Sequence, residues 1–135
     1  MIAGDSVMSM SSEPVRESLS IVVPVYNEAE VLGEFHRRLS AVLDGLRFAC
    51  EIVYVNDGSV DASLAIVRGW QAQDARVTVL NLSRNFGKEI AMSAGLDHAR
   101  GDAVVVIDAD LQDPPELIPE LVARWLEGHD VVYAR

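Results

Sequence analysis

Residues 103–116 read AVVVIDADLQDPPE, and this stretch decides the fold. Ala103–Ile107 is apolar at every position, without alternation, as a strand reads when both faces of its sheet are covered. The switch to carboxylates at Asp108 and Asp110 marks the strand's carboxyl end. Pro114 and Pro115 then open a helix at positions where a missing N–H is harmless. A buried strand, a polar exit and a following helix make one unit of a doubly wound α/β sheet.

The same unit recurs upstream. Ser20–Tyr26 (SIVVPVY) is a buried strand, and apolar residues from Val31 to Leu46 keep helical spacing across Glu28–Leu46. Glu51–Asn56 forms the second strand and ends in Asp57-Gly58-Ser59; a helix follows over Asp61–Ala72 with Asp61 as its N-cap. Val77–Leu82 is the third strand, Gly87–Ala99 a helix, and Asp130–Tyr133 the start of a fifth strand. Asp113 is expected to cap the helix that Pro114 opens. The order βαβαβαβαβ predicts a mostly parallel sheet flanked by helices. Residues 1–18, rich in Ser and Met and without periodicity, are predicted to form a disordered tail. That leaves 19–135 as one domain.

Composition narrows the function. With 135 residues, 50% of them hydrophobic, the chain is too apolar for a disordered protein. A net charge of −10 excludes the basic face that general nucleic-acid binding needs. A single cysteine, Cys50, excludes an intrachain disulfide; it reads as a small buried hydrophobe ahead of the second strand. No apolar run approaches the ~20 residues of a membrane span, and the start lacks the order of a signal peptide. A cytoplasmic setting is expected. GxGxxG after the first strand and the P-loop pattern are both absent. His36, His98 and His129 are scattered and read as surface or packing residues.

In open α/β sheets, ligands bind beyond the carboxyl ends of the strands. The residues that matter are then Asn27-Glu28, Asp57-Gly58-Ser59, Ser83-Arg84-Asn85 with Lys88, and Asp108–Asp113. Asp108 and Asp110, two apart, direct their carboxylates to one side and Ala109 to the other. Crowded carboxylates call for a cation, and hard oxygen donors suit Mg²⁺ or Mn²⁺. Gln112 or Asp113 can add a further oxygen; the alternative is a pair of solvated turn carboxylates. Lys88, with the helix N-terminus at Gly87, supplies an anion site, so a metal-bridged diphosphate fits. Asp57 can accept from a ring N–H of uracil or guanine, Tyr26 can stack on a base, and Glu28 can bind ribose hydroxyls. Each also has an ordinary reading: turn residue, core residue, first-turn helix residue.

Together SIVVPVYNE, VNDGS, LSRNFGKE and VIDADLQDPPE resemble a family 2 glycosyltransferase. The likeness is greatest to its polyprenyl-phosphate branch, the dolichol-phosphate mannose synthases and bacterial bactoprenol glucosyltransferases. It spans residues 19–135. It implies a GT-A fold and inverting transfer from a nucleotide-sugar to a polyprenyl phosphate at the membrane surface. Position by position, it implies nucleotide contacts from Pro24, Tyr26, Glu28, Val55 and Asp57. It implies metal and diphosphate contacts from Asp108, Ala109, Asp110 and Gln112, with Asp108 and Asp110 catalytic; Arg135 lies near a family arginine that contacts the donor. Family members continue past the fifth strand, so the chain reads as the donor-binding half of a transferase, truncated there. It is expected to expose apolar surface and self-associate. Two other readings compete. One is a non-catalytic nucleotide-binding module. The other is a receiver-like signalling domain, which needs an acidic pair after the first strand, where Asn27-Glu28 stands, and a lysine after the fifth.

Overall fold

The computed structural model describes residues 18–126 and 132–133. Most of the predicted tail, His129 and Arg135 lie outside them. The elements are β1 (Ser18–Val25), α1 (Ala29–Asp44), β2 (Ala49–Asn56), α2 (Ser63–Gln73), β3 (Val77–Asn81), α3 (Lys88–His98), β4 (Ala103–Val106), a 3-10 turn (Pro115–Leu117), α4 (Ile118–Leu126) and β5 (Val132–Tyr133). The strands form one sheet in the order β3-β2-β1-β4-β5, and every described pairing is parallel. This order overturns the receiver-like reading, because that fold runs 2-1-3-4-5.

β1 lies at the centre, with Ile21 opposite Ile52 on one side and Val105 on the other. Its alternate residues serve two cores. Leu19, Ile21, Val23 and Val25 share one core with Leu32, Phe35, Leu39 and Leu43 of α1. Val22 joins Val53, Val55, Val106 and Ala91 of α3 in the other. Layers on both faces explain why the strands lack alternation in sequence. The chain leaves β1 for β2 on one side and reaches β4 on the other. A crevice therefore opens at the carboxyl ends of β1 and β4, the switch point where such sheets bind ligands.

Three local readings need correction. The segment after Asp113 enters its helix in two steps, a 3-10 turn from Pro115 and then α4; Pro114 holds the cap position, and no side-chain cap bond is made there. The reason lies in the proline pair: Pro115 has no N–H for an Asp113 cap to bind, and the Pro114 carbonyl instead accepts from Leu117 N–H at 3.0 Å. Asp61 stands one residue outside the cap position of α2, yet its Oδ1 still accepts from Ser63 N–H at 2.9 Å. Cys50 lies within β2, only half-buried, and its thiol points to the Phe48 carbonyl. His36 does pack, and closely: it stacks on Trp70 at 4.0 Å and shares a 2.6 Å hydrogen bond with Tyr54 Oη. Burial lowers the His36 pKa, so its neutral form is favoured.

Candidate functional site

Three loops at the crevice are held by side chains from their neighbours. In the first, the backbone N–H groups of Asn27, Glu28 and Ala29 donate to Ser59 Oγ (2.9 Å), Ser63 Oγ (2.9 Å) and Asp61 Oδ2 (3.1 Å). Asn27 adopts φ 54, a conformation Asn tolerates better than most, and its Oδ1 accepts from Val60 N–H at 2.8 Å. The GSVDAS segment thus satisfies donors at the start of α1, and the turn presents Tyr26 and Glu28 to the crevice.

Asp57 organises the second loop. Its Oδ1 accepts from Phe86 N–H at 2.8 Å; its Oδ2 accepts from Gly87 N–H at 3.1 Å and Asn85 Nδ2 at 3.2 Å. Asn85 Nδ2 also reaches the Asp57 carbonyl at 3.1 Å. Gly58 sits at φ 73 against this loop, where a Cβ would lie 2.2 Å from Asn85 N; no other residue fits. The carboxylate at the Gly87 end of α3 is therefore the chain's own. A carboxylate has about four acceptor sites, and three of those on Asp57 are filled within the chain.

The third loop carries Asp108 and Asp110 just beyond β4. Ala109 between them is fully buried and anchors the turn, while Asp110 is exposed and Asp108 partly so. Asp110 Oδ1 accepts from Gln112 N–H at 3.0 Å, and Leu111 takes φ 68 to turn its side chain back onto the core. Further along, Arg38 of α1 forks onto Glu116 through 3.0 Å and 2.6 Å hydrogen bonds.

The loops enclose a cleft of ≈ 200 Å³ lined by Pro24, Val25, Tyr26, Glu28, Asp57, Asn85, Gly87, Lys88, Asp108 and Asp110. Most of the residues expected from sequence converge there. Val55 and Ala109 are buried beneath it, and Gln112 is exposed outside its lining. Sequence reading undervalued Asn85. Its position after β3 was visible, but its bond to a carboxylate 28 residues earlier was not. Tyr26, 48% exposed, is not a core residue.

Negative charge gathers in this cleft. The Glu28 carboxyl is held above its ordinary pKa, first by partial burial and then by the charges of Asp110 and Asp108. Lys88 Nζ lies 2.5 Å from Asp108 Oδ2, and that hydrogen bond raises the ammonium's pKa. An ammonium already seated on Asp108 marks where a cation is favoured. Among the described residues no three His, Cys, Asp or Glu side chains are grouped to cage a metal ion. A pair of carboxylates suits an ion like Mg²⁺, which takes one or two from protein and the rest from water and substrate phosphates.

Residues 20–135 match the model of Glycosyl transferase family 2. The chain belongs to that family. Among its relatives, an uncharacterized glycosyltransferase of Bacillus subtilis, YkcC, is 55% identical over 115 residues, 85% of this chain and 36% of the relative. The bactoprenol glucosyl transferase of Shigella phage SfV is 47% identical over 117 residues, 87% of this chain and 38% of the relative. A solved family likeness is the mannosyltransferase PcManGT from Pyrobaculum calidifontis, in complex with GDP-Man and Mn²⁺. It superposes with a TM-score of 0.63 at 32% identity, over 70% of this chain and 28% of that one. The chain thus spans little more than a third of the length of the curated relatives it matches. No helix among the described residues of this family 2 domain is long and apolar enough to cross a membrane.

Proposed function

We propose that this family 2 domain binds a nucleoside diphosphate sugar with a divalent ion and serves an inverting transfer of the sugar to a polyprenyl phosphate at the membrane surface. The observation that carries the reading is the convergence of Asp108 and Asp110 with Tyr26, Glu28 and Asp57 in one cleft at the β1/β4 switch point. The named relatives support the donor, metal and acceptor classes.

Each residue then has a task. Tyr26 offers an exposed ring face for the base, and Asp57 keeps one acceptor site for a ring N–H beside those it gives its own loop. Glu28 faces the ribose hydroxyls. Asp108 and Asp110 would hold Mg²⁺ or Mn²⁺, which supplies charge neutralisation for the departing diphosphate. An acceptor phosphate is already an anion near neutral pH, so its oxygen can attack the anomeric carbon without a strong base in the cleft. As the new C–O bond forms, the old one breaks and the nucleoside diphosphate leaves with its electron pair. Val55 and Ala109 are buried, and Gln112 steadies Asp110 by donating its backbone N–H to Oδ1, with its side chain free to add an oxygen to the ion.

Calorimetry of the chain against UDP and GDP, with and without Mn²⁺, tests the reading. Micromolar-range binding that needs the ion is expected, and Asp110→Ala should lower Mn²⁺ affinity by about 10- to 100-fold or more. Binding of equal strength in excess chelator would refute it.

A further inference from the structure

We propose that Lys88 is a resident counter-cation of the acidic pair. It holds Asp108 until a divalent ion and a diphosphate arrive, and it then exchanges Asp108 for the phosphates. The inference rests on the donor-binding reading above and adds an order of events to it.

Lys88 is the sole lysine of the chain and the first residue of α3. A cation there faces the positive end of the helix dipole, which favours anions instead. The Asp57 carboxylate already sits on the N–H groups of this helix end, and the ammonium itself pairs with a second carboxylate, Asp108, 2.5 Å away. The backbone beneath it is held firmly, since Asp57 binds the N–H groups of Phe86 and Gly87. The side chain itself is 61% exposed and, among the described residues, bonds only Asp108, so it can reorient without disturbing the described fold.

A divalent ion on Asp108 would place two further positive charges beside the ammonium, and the three repel at contact distance. Without a new partner, Lys88 therefore competes with the metal. A diphosphate supplies that partner, so ion and nucleotide each remove an obstacle to the other. Such coupling is reciprocal. Glu28 and Asp110 stay in the same cleft and keep it attractive to cations throughout.

The test compares wild type, Lys88→Met and Lys88→Arg by calorimetry and Mn²⁺ electron paramagnetic resonance. Each is measured with Mn²⁺ alone, and then with UDP or GDP in the presence of Mn²⁺. Lys88→Met should bind Mn²⁺ alone more tightly than wild type, by up to about fivefold, the range of an exposed ion pair. It should bind the nucleotide with Mn²⁺ more weakly, so the mutual enhancement shrinks. Lys88→Arg, which keeps the charge, should match wild type for Mn²⁺ alone. If Lys88→Met binds Mn²⁺ alone no more tightly than wild type while Asp110→Ala still abolishes Mn²⁺-dependent nucleotide binding, the exchange is wrong and the donor site stands. If wild type binds neither nucleotide with Mn²⁺, the donor reading fails as well, and Lys88–Asp108 is an ordinary surface pair.

Discussion

Asp57 shows how much one carboxylate can organise. Its two oxygens receive backbone N–H groups from different residues, Phe86 on Oδ1 and Gly87 on Oδ2. An amide has one oxygen, so Asp57→Asn turns an NH₂ toward one of those donors in either orientation. The expected loss is about 1–3 kcal/mol of stability, the penalty for an unpaired buried group, read by urea denaturation. Nucleotide binding should weaken with it, because the same loop lines the cleft. Glu28 titrates in the opposite sense from a salt-bridged acid. Its pKa is raised in the fold, so the native state binds that proton more tightly than the unfolded chain, whose value is near 4.5. The protonated form's advantage is complete below that value and disappears as pH rises through the folded pKa. Glu28→Gln should therefore melt higher than wild type near pH 7, with the gap closing by about pH 4. A gap that is constant with pH would mean Glu28 is not the titrating group. Weaker nucleotide binding by the stabler variant would fit the usual exchange between stability and function at a site.

Helix α3 depends on closeness to the sheet. A Cβ on Gly95 would lie 2.4 Å from Val22 Cγ1 and 3.1 Å from Val55 Cγ2. Alanine gains up to about 1 kcal/mol in helix propensity over glycine, while overpacking a core costs about 1–3 kcal/mol. The clash wins, and Gly95→Ala should destabilise the protein. Gly69 in α2 has nothing within 4 Å of its Cβ position. Gly69→Ala should therefore stabilise by as much as about 1 kcal/mol. Thermal melts of the two variants side by side decide the matter: an upward shift in both would show that propensity alone governs both helices. The acidic loop after β4 has a different support, the Arg38–Glu116 fork from α1, whose exposed geometry contributes about 1 kcal/mol at most.

The whole molecule joins four strand ends into one acidic cleft, and ligand binding should register as global stability. Ligand at a hundredfold excess over its Kd adds about 2.7 kcal/mol when only the native state binds it. UDP or GDP should raise the melting temperature in Mn²⁺ and leave it unchanged in excess chelator. A rise of the same size in chelator would assign binding to the base pocket alone. The acidic character of the cleft makes this dependence physical: two carboxylates and Glu28 repel a diphosphate until a cation intervenes.

The alternation of strands and helices was legible in the chain, and so was the side of the sheet on which the cleft opens. β-branched runs such as Val104–Ile107 cannot be solvated, and each stops at a polar residue, so the strand ends announce themselves. Motif spacing likewise placed Tyr26, Glu28, Asp57, Lys88, Asp108 and Asp110 near one edge, where the fold brings them together. Strand order was beyond the sequence, since the same succession of elements also describes a receiver, and it is the pairing of β1 with β4 and of β2 with β3 that sets this sheet apart from that one. Helix starts shifted by a residue or two, at Asp61 and Asp113, because caps depend on which N–H groups are left unpaired. Asn85 on Asp57, Lys88 on Asp108 and Gly95 on Val22 also waited for the fold. Those contacts join residues 20 to 73 positions apart. Local propensity carries no record of such distances; the register of the sheet and the packing of α3 on it set them.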